Sequence, residues 1–345
     1  MPSTLLRAAS RLTTPFLPDD YLTLVNPLWS TRELRGRVEA VLPETADAAT
    51  VVVRPARPWH PHRAGQYVRV GVDINGVRHW RTYSLTSPSD RRDGRFTITV
   101  KAIPDGIVSN HLVRDLRPGD VLRLEAPQGD FVLPDPMPRK ALFLTGGSGV
   151  TPVMGILRSH SLPDVVHIHG APTRDAVVFG AELRGLASPS YVLHERHDDD
   201  HGIFSFDELA QVCPDWRERE VWVCGPGPLM DAAEVHWKDA GLSERLRLER
   251  FRPRLLADAG EGGKVRFAKS TTTVDADGTT PILDAGEAAG VLMPSGCRMG
   301  ICYTCVVPLK AGRVRDLRTG EVHGEEGDLV QTCISAAAGP VELDL

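Results

Sequence analysis

Four of the six cysteines in this chain fall within its last 49 residues, at Cys297, Cys302, Cys305 and Cys333, while Cys213 and Cys224 stand apart. That clustering is the first chemical signal in the chain, because a metal held by all four thiols would draw the segments that carry them together. A disulfide framework is a poor reading of the cluster. The N-terminus, MPSTLLRAASRLTTPFLP, carries Arg7 and Arg11 but lacks the continuous apolar stretch of a secretory signal, so a cytoplasmic location is expected. Thiols stay reduced there. Soft anionic sulfur then points to a metal.

Composition bounds the rest. At roughly 150 residues per domain, the 345 residues make two or three compact units. Forty basic against 45 acidic side chains leave a net charge of −5, without the basic excess of a nucleic-acid binder, so no nucleic-acid partner is expected. The longest uncharged run, Ala141 to Leu157, is 17 residues and is broken by Gly146, Gly147, Gly149 and Pro152. No transmembrane helix is expected.

The patterning changes along the chain. Residues 1–34 form an extension without a clean period, and residues 35–138 read as short strands between Gly, Pro and Asp turns, as in RGRVEAVLP, TVVVRPA, GQYVRVGVDI and RFTITVKAI. That spacing predicts a small antiparallel β-barrel. Residues 139–257 alternate apolar strands with Gly-rich turns and helical stretches (ALFLTGG, then TPVMGILRSH; VVHIHGA, then AVVFGAELRGL; VWVCGPG, then PLMDAAEVHWKDAG), which predicts an α/β unit on a parallel sheet. Residues 258–264 read as a linker, and residues 265–345 hold the clustered cysteines.

The cysteine spacing is informative in itself. Cys297-x4-Cys302-x2-Cys305, with Cys333 after 27 intervening residues, is the plant-type [2Fe–2S] spacing, in which four thiolates hold two irons. Zinc is the alternative, although zinc ribbons usually pair two C-x2-C knuckles and only one short spacing exists here. Gly296 and Gly300 in SGCRMGICYTC would let backbone N–H groups turn towards the sulfurs.

Three further stretches suggest nucleotide chemistry. In Arg81-Thr82-Tyr83-Ser84-Leu85, an arginine fork can hold a phosphate, a tyrosine ring can stack on isoalloxazine, and a serine hydroxyl can reach a ring nitrogen. The N–H groups around Gly106 could cradle a pyrophosphate. A plain alternating strand explains RTYSL equally well. Gly146-Gly147-Ser148-Gly149-Val150-Thr151-Pro152 follows a strand and opens a helix, where unpaired N–H donors face a diphosphate; a plain loop is the alternative. Cys224-Gly225-Pro226-Gly227-Pro228 ends another strand, where ligands bind in open α/β sheets, although a strand-terminal cysteine is more often inert packing. The run from His194 to His201 (HERHDDDH) reads as a solvated loop, and His167-x-His169 as structural.

In order, RTYSL, GIVS, GGSGVTP, CGPGPLM and LERF resemble the ferredoxin–NADP reductase superfamily over about residues 35–252, and GCRMGICYTC with GDLVQTC resembles a plant-type ferredoxin domain. The combined layout is similar to flavin reductases with a fused C-terminal [2Fe–2S] domain, such as phenylacetyl-CoA oxygenase reductase. RLTTPFLPDDYLTLVNPLWSTRELRGRVE and HWRTYSLTSP look closer to the actinobacterial reductases of acyl-CoA desaturases. The resemblance implies a multidomain chain: an antiparallel β-barrel flavin domain, an α/β parallel-sheet nicotinamide domain and an α+β (β-grasp) ferredoxin domain.

Carried over by position, the resemblance places Arg81, Tyr83, Ser84 and Leu85 at the flavin, and Gly106, Val108 and Ser109 at the pyrophosphate of FAD. It places Gly147, Gly149 and Thr151 at the phosphates of the nicotinamide dinucleotide, and Cys224, Gly225 and Glu249 beside the nicotinamide. Ser84, Cys224 and Glu249 are the expected catalytic group. Phe251 matches the flavin-covering aromatic residue, but a linker and a domain follow it here. Thr173 and Arg174 fall where a ribose 2′-phosphate would lie, which favours NADPH over NADH although Asp175 follows at once.

The expected activity is electron transfer from NADPH through FAD and the [2Fe–2S] cluster to a separate acceptor, a membrane-bound fatty acyl-CoA desaturase. Two alternatives remain at this point: the reductase component of a ring-hydroxylating or alkane oxygenase, and a non-enzymatic redox sensor. Leu5, Leu6, Leu12 and Phe16 offer peripheral membrane contact, with packing on the barrel as the alternative.

Overall fold

The computed structural model describes residues 18–30, 32–256 and 260–345. Leu5, Leu6, Leu12 and Phe16 lie outside the described residues. The described residues form two compact units, one within 18–78 and 82–249, the other within 79–81 and 250–345.

The first unit opens with α1 (Pro18–Val25) and continues into six antiparallel strands: β1 (Leu34–Thr45), β2 (Ala48–Pro55), β3 (Tyr67–Ile74), β4 (Val77–Ser84), β5 (Phe96–Lys101) and β6 (Val121–Leu124). Their order is β4-β3-β6-β1-β2-β5, with the short helix α2 (Ile107–Asn110) between β5 and β6. Alternation drives the curl: Val51 and Val53, Val68, Val70 and Val72, and Phe96, Ile98 and Val100 all turn inward and are buried together. The edges meet where Leu85 bridges Ile98 and the Thr86 N–H donates to the Thr97 carbonyl (2.8 Å), so the sheet closes as a barrel.

The same unit holds a five-stranded parallel sheet of β7 (Ala141–Gly146), β8 (Val165–Ala171), β9 (Tyr191–His197), β10 (Glu220–Cys224) and β11 (Leu246–Leu248), in the order β11-β10-β7-β8-β9. With both faces covered, its strands are continuous apolar runs such as Ala141–Leu144 and Val221–Cys224. The direction of winding reverses between β7 and β10, which leaves a crevice at their carboxyl ends. Two helices start there, α3 (Val150–Ser159) after β7 and α5 (Gly227–Asp239) after β10, while α4 (Gly180–Gly185) follows β8. The helical stretch read from AVVFGAELRGL shrinks to α4, because Phe179 precedes it in the left-handed conformation (φ 60°) and breaks the run.

Barrel and sheet share a core. Ala64, Phe131 and Leu133 pack with Phe143, Val153, Ile156, Trp222 and Cys224. A Cβ on Gly155 of α3 would stand 2.4 Å from the Leu85 carbonyl oxygen, so helix and barrel touch backbone to backbone. Arg158 adds a bond to the Thr86 carbonyl (2.7 Å).

The second unit is a mixed sheet of order β13-β12-β17-β14-β15, from β12 (Gly263–Phe267), β13 (Thr272–Ala276), β14 (Val306–Asp316), β15 (Val322–His323) and β17 (Ser335–Leu343), with β16 (Leu329–Gln331) pairing β14. Its central pair, β12 and β17, is parallel. The helix α6 (Ile282–Ala288) covers the core through Ile282 and Leu283. Of LRLERFRPRLL, only Leu246–Leu248 joins the parallel sheet; Leu255 packs on Leu317, and the Leu256 N–H donates to the Leu317 carbonyl (2.7 Å). Gly263 and Lys264 already belong to β12, where a Cβ on Gly263 would strike the Gly339 carbonyl oxygen at 2.0 Å. Among the described residues, no helix is long and apolar enough to cross a membrane.

Candidate functional site

The crevice between β7 and β10 is built from glycine. A Cβ on Gly149 would lie 2.0 Å from the Cys224 carbonyl oxygen, and one on Gly225 would lie 2.9 Å from the Gly146 nitrogen, so the two loops pass at backbone contact. Gly147 has φ +53° and nothing within 4 Å of its Cβ direction, which leaves open space at the head of α3. The Thr151 hydroxyl donates to the Ser148 carbonyl (2.9 Å), so this buried side chain braces the loop.

Three expected residues converge beside that crevice. Ser84 ends β4, Cys224 ends β10, and Glu249 lies just past β11 with its N–H on the Val223 carbonyl (3.2 Å). The Ser84 hydroxyl donates to Glu249 Oε2 at 3.3 Å. Burial pushes the Glu249 carboxyl up to about 8, against the pull of that hydroxyl. Burial also pushes the Cys224 thiol well up, with the Glu249 charge adding to it, so this cysteine is no thiolate nucleophile.

Tyr83 and Arg81 precede Ser84 on β4, where Arg81 Nη1 donates to the Trp80 carbonyl (2.8 Å). Gly106 caps the short turn Ile107–Asn110, and a Cβ there would meet Ile103 Cγ1 at 2.4 Å and Ser109 Oγ at 2.5 Å. The Ser109 hydroxyl donates to the Gly106 carbonyl (3.2 Å) and accepts from the Ile103 N–H (3.2 Å), and Val108 is buried in the barrel core. The turn is therefore held by its own side chains. Asn110 helps, donating to the carbonyls of Ile103 and Gly106 (both 2.9 Å), and sequence reasoning passed it over. Thr173 and Arg174 stand exposed just after β8, and Arg174 makes no ion pair among the described residues. Phe251 is exposed and lies in the second unit.

Beneath the β7 loop lies a buried polar chain. Thr145 Oγ1 bonds His167 Nε2 and His169 Nδ1, and His167 Nδ1 bonds the Tyr191 hydroxyl, each at 2.7 Å. Burial holds both imidazoles neutral, His169 down to about 4. The alternation of His167 and His169 within an apolar strand was the available signal.

In the second unit the four cysteines fall into two neighbouring pairs, Cys297 with Cys302 and Cys305 with Cys333, and none forms a disulfide. Backbone N–H groups aim at the sulfurs: Cys297 to Cys302 Sγ (3.2 Å), Met299 to Cys297 Sγ (3.3 Å), and Gly300 towards Cys333. The Thr304 hydroxyl, inside the quoted motif but not singled out, donates to Cys302 Sγ at 3.1 Å. Arg298 and Tyr303 take left-handed φ of +57° and +55°, and Arg298 is anchored on α6 through Asp284 (2.9 Å) and Glu287. Two thiol pairs ringed by N–H donors suit two irons better than one zinc.

Comparison with known proteins places these features in a family. Residues 47–133 match the oxidoreductase FAD-binding domain, and residues 265–338 match the 2Fe-2S iron-sulfur cluster binding domain. An NADPH oxidoreductase of Mycobacterium tuberculosis is 51% identical, over 99% of this chain and 92% of that protein. The chain is an oxidoreductase of the FAD/[2Fe–2S] reductase family. The glycine betaine monooxygenase reductase subunit of Pseudomonas aeruginosa is 30% identical, over 92% of this chain and 96% of its own length. The structure of phthalate dioxygenase reductase superposes with a TM-score of 0.65 at 24% identity, covering 91% of this chain and 98% of that one, so the two share a fold. The reductase thus has an antiparallel flavin barrel, a parallel-sheet nucleotide domain and a ferredoxin domain, as the sequence implied.

Proposed function

We propose that this reductase takes a hydride from NADPH and passes electrons singly to a separate acceptor, a fatty acyl-CoA desaturase. Domain limits at residues 35–138, 139–257 and 265–345 belong to the same reading. The observation that carries it is the junction of Ser84, Cys224 and Glu249, where the end of a barrel strand meets the crevice of the parallel sheet within one unit.

When bound, FAD accepts an electron pair and yields it one electron at a time, and the [2Fe–2S] cluster carries single electrons. The chain supplies position. Arg81, Tyr83, Ser84 and Leu85 would hold the flavin, with Gly106, Val108 and Ser109 shaping the turn at its pyrophosphate. Open space at Gly147 and the close approach at Gly149 suit a diphosphate at the head of α3, where unpaired N–H donors gather. Thr151 braces that loop, and Gly225 keeps the facing one close. At neutral pH Glu249 keeps its proton, so a nicotinamide beside Ser84 and Cys224 meets no fixed negative charge. The exposed Arg174, without an ion pair among the described residues, would with Thr173 take a ribose 2′-phosphate. Cys297, Cys302, Cys305 and Cys333 would ligate the cluster as two pairs.

The acceptor rests on residues 11–39 and on His79–Pro88, which look most like the reductases of acyl-CoA desaturases. Peripheral membrane contact through residues 1–34 belongs to the same proposal, as does a cytoplasmic location. A second reading, service to an oxygenase, draws on the similarity to the glycine betaine monooxygenase reductase subunit. Anaerobic NADPH titration followed in the visible, with purified desaturase and acyl-CoA then added, tests the scheme. Flavin bleaching is expected first, then cluster bleaching, then desaturation. Bleaching confined to the flavin would overturn the internal chain, and full reduction without desaturation would overturn the acceptor.

A further inference from the structure

The run HERHDDDH, read from sequence as a solvated loop, folds into something more definite. His197 ends β9, and residues Asp198–His201 make one helical turn after it. His197, Asp200 and His201 each offer a ligand atom, and the three atoms lie within 4.8 Å of one another. His197 is 9% exposed at its side chain, and its two nitrogens are spoken for differently: Nε2 donates to Glu195 Oε1 at 2.7 Å, while Nδ1 faces Asp200 Oδ2 at 3.4 Å. Glu195 is itself fixed, since Arg184 grips both its oxygens (2.9 and 2.7 Å). The backbone N–H of His197 donates to His201 Nδ1 (3.2 Å) and brings the second ring over the first. A buried histidine oriented by a clamped carboxylate on one nitrogen, with the other turned to further ligands, is the arrangement by which proteins prepare a metal-binding imidazole.

We propose that His197, Asp200 and His201 bind one divalent ion of the Zn²⁺ class, with Glu195 as the positioning residue for His197. Two imidazoles and one carboxylate are a donor set suited to such ions, and three protein ligands leave a position for water. Asp200 and His201 are exposed, so rotation of their side chains closes the set around the ion without moving the sheet.

The site has a neighbour. The Asp199 N–H donates to the Pro172 carbonyl (3.3 Å), which ties the turn to the loop carrying Thr173 and Arg174. A bound ion would stiffen that loop; this part rests on the reading of Arg174 as the 2′-phosphate contact.

The test uses tag-free holoenzyme with FAD and cluster loaded, so that the four thiols are occupied. After dialysis against micromolar Zn²⁺, metal analysis should find about one zinc per chain. His201→Ala and Asp200→Asn, both at exposed positions, should weaken retention at least tenfold with the visible spectrum unchanged, whereas His194→Ala should retain zinc. Absence of zinc from the unaltered protein, or full retention in both variants, would overturn the site. Zinc should also shift the KM for NADPH at least twofold in the unaltered protein and not in His201→Ala. A KM that zinc leaves unmoved would overturn the link to the loop, while the zinc count, measured without nucleotide, judges the site independently of the proposed function.

Discussion

Glu249 carries a proton that a carboxyl in water would have given up. Its ordinary value is 4.5 and burial raises it to about 8, so between those limits the folded chain holds one proton more than the unfolded chain. The contribution of this carboxyl to stability therefore falls as pH rises from 4.5 to about 8 and levels off beyond. Glu249→Gln, neutral throughout, should match the parent in denaturant midpoint near the low end of that window and exceed it increasingly towards the high end; parallel midpoints across the window would show that the carboxyl is not buried as described. Arg174 makes a sharper kinetic case. A charged hydrogen bond to phosphate contributes roughly 1.5–3 kcal/mol, so on the proposed 2′-phosphate role Arg174→Gln should raise the KM for NADPH roughly tenfold to a hundredfold and leave that for NADH alone. Much at this scale was legible beforehand, because Ser84, Cys224 and the four clustered cysteines each sit in a short motif with its own chemistry. The Ser84–Glu249 bond was legible only through the family resemblance, since 165 positions separate the partners and no local pattern encodes their meeting. Of the Thr145, His167 and Tyr191 chain only the alternation of His167 and His169 was visible in the sequence, and the partners were not.

Among the elements, the loops after β7 and β10 show two glycines with opposite duties. Gly149 is required by contact, the Cys224 carbonyl oxygen standing where its side chain would be. Gly147 is required by conformation alone, at φ +53° over open space. Gly149→Ala should cost about 3 kcal/mol or more through forced separation of the loops, whereas Gly147→Ala should cost about 1 kcal/mol; thermal melts of the two variants measure the difference. The sequence presented both as members of one Gly-rich turn, and only the packing separates them. The short α4 follows the same logic, because a single left-handed Phe179 overrides the apolar period that promised a longer helix.

Across the whole molecule, the redox stations should be separable by single substitutions. On the proposed assignment of Cys333 as a cluster ligand, Cys333→Ser, far in sequence from the nucleotide crevice, should leave NADPH-driven reduction of a two-electron dye in place while cluster absorption and delivery to a one-electron acceptor vanish; simultaneous loss of dye reduction would contradict this division. The common core of barrel and parallel sheet has another consequence, for engineering. Ala64, Phe131 and Leu133 complete the packing around Phe143, Ile156 and Trp222, and Gly155 admits the Leu85 carbonyl, so neither half is an interchangeable cassette. A chimera grafted with a relative's sequence from residue 139 onward would mismatch that shared core, whereas one joined after Glu249 would leave it whole. Soluble yield and flavin content of the two hybrids should differ accordingly, with the later splice the productive one.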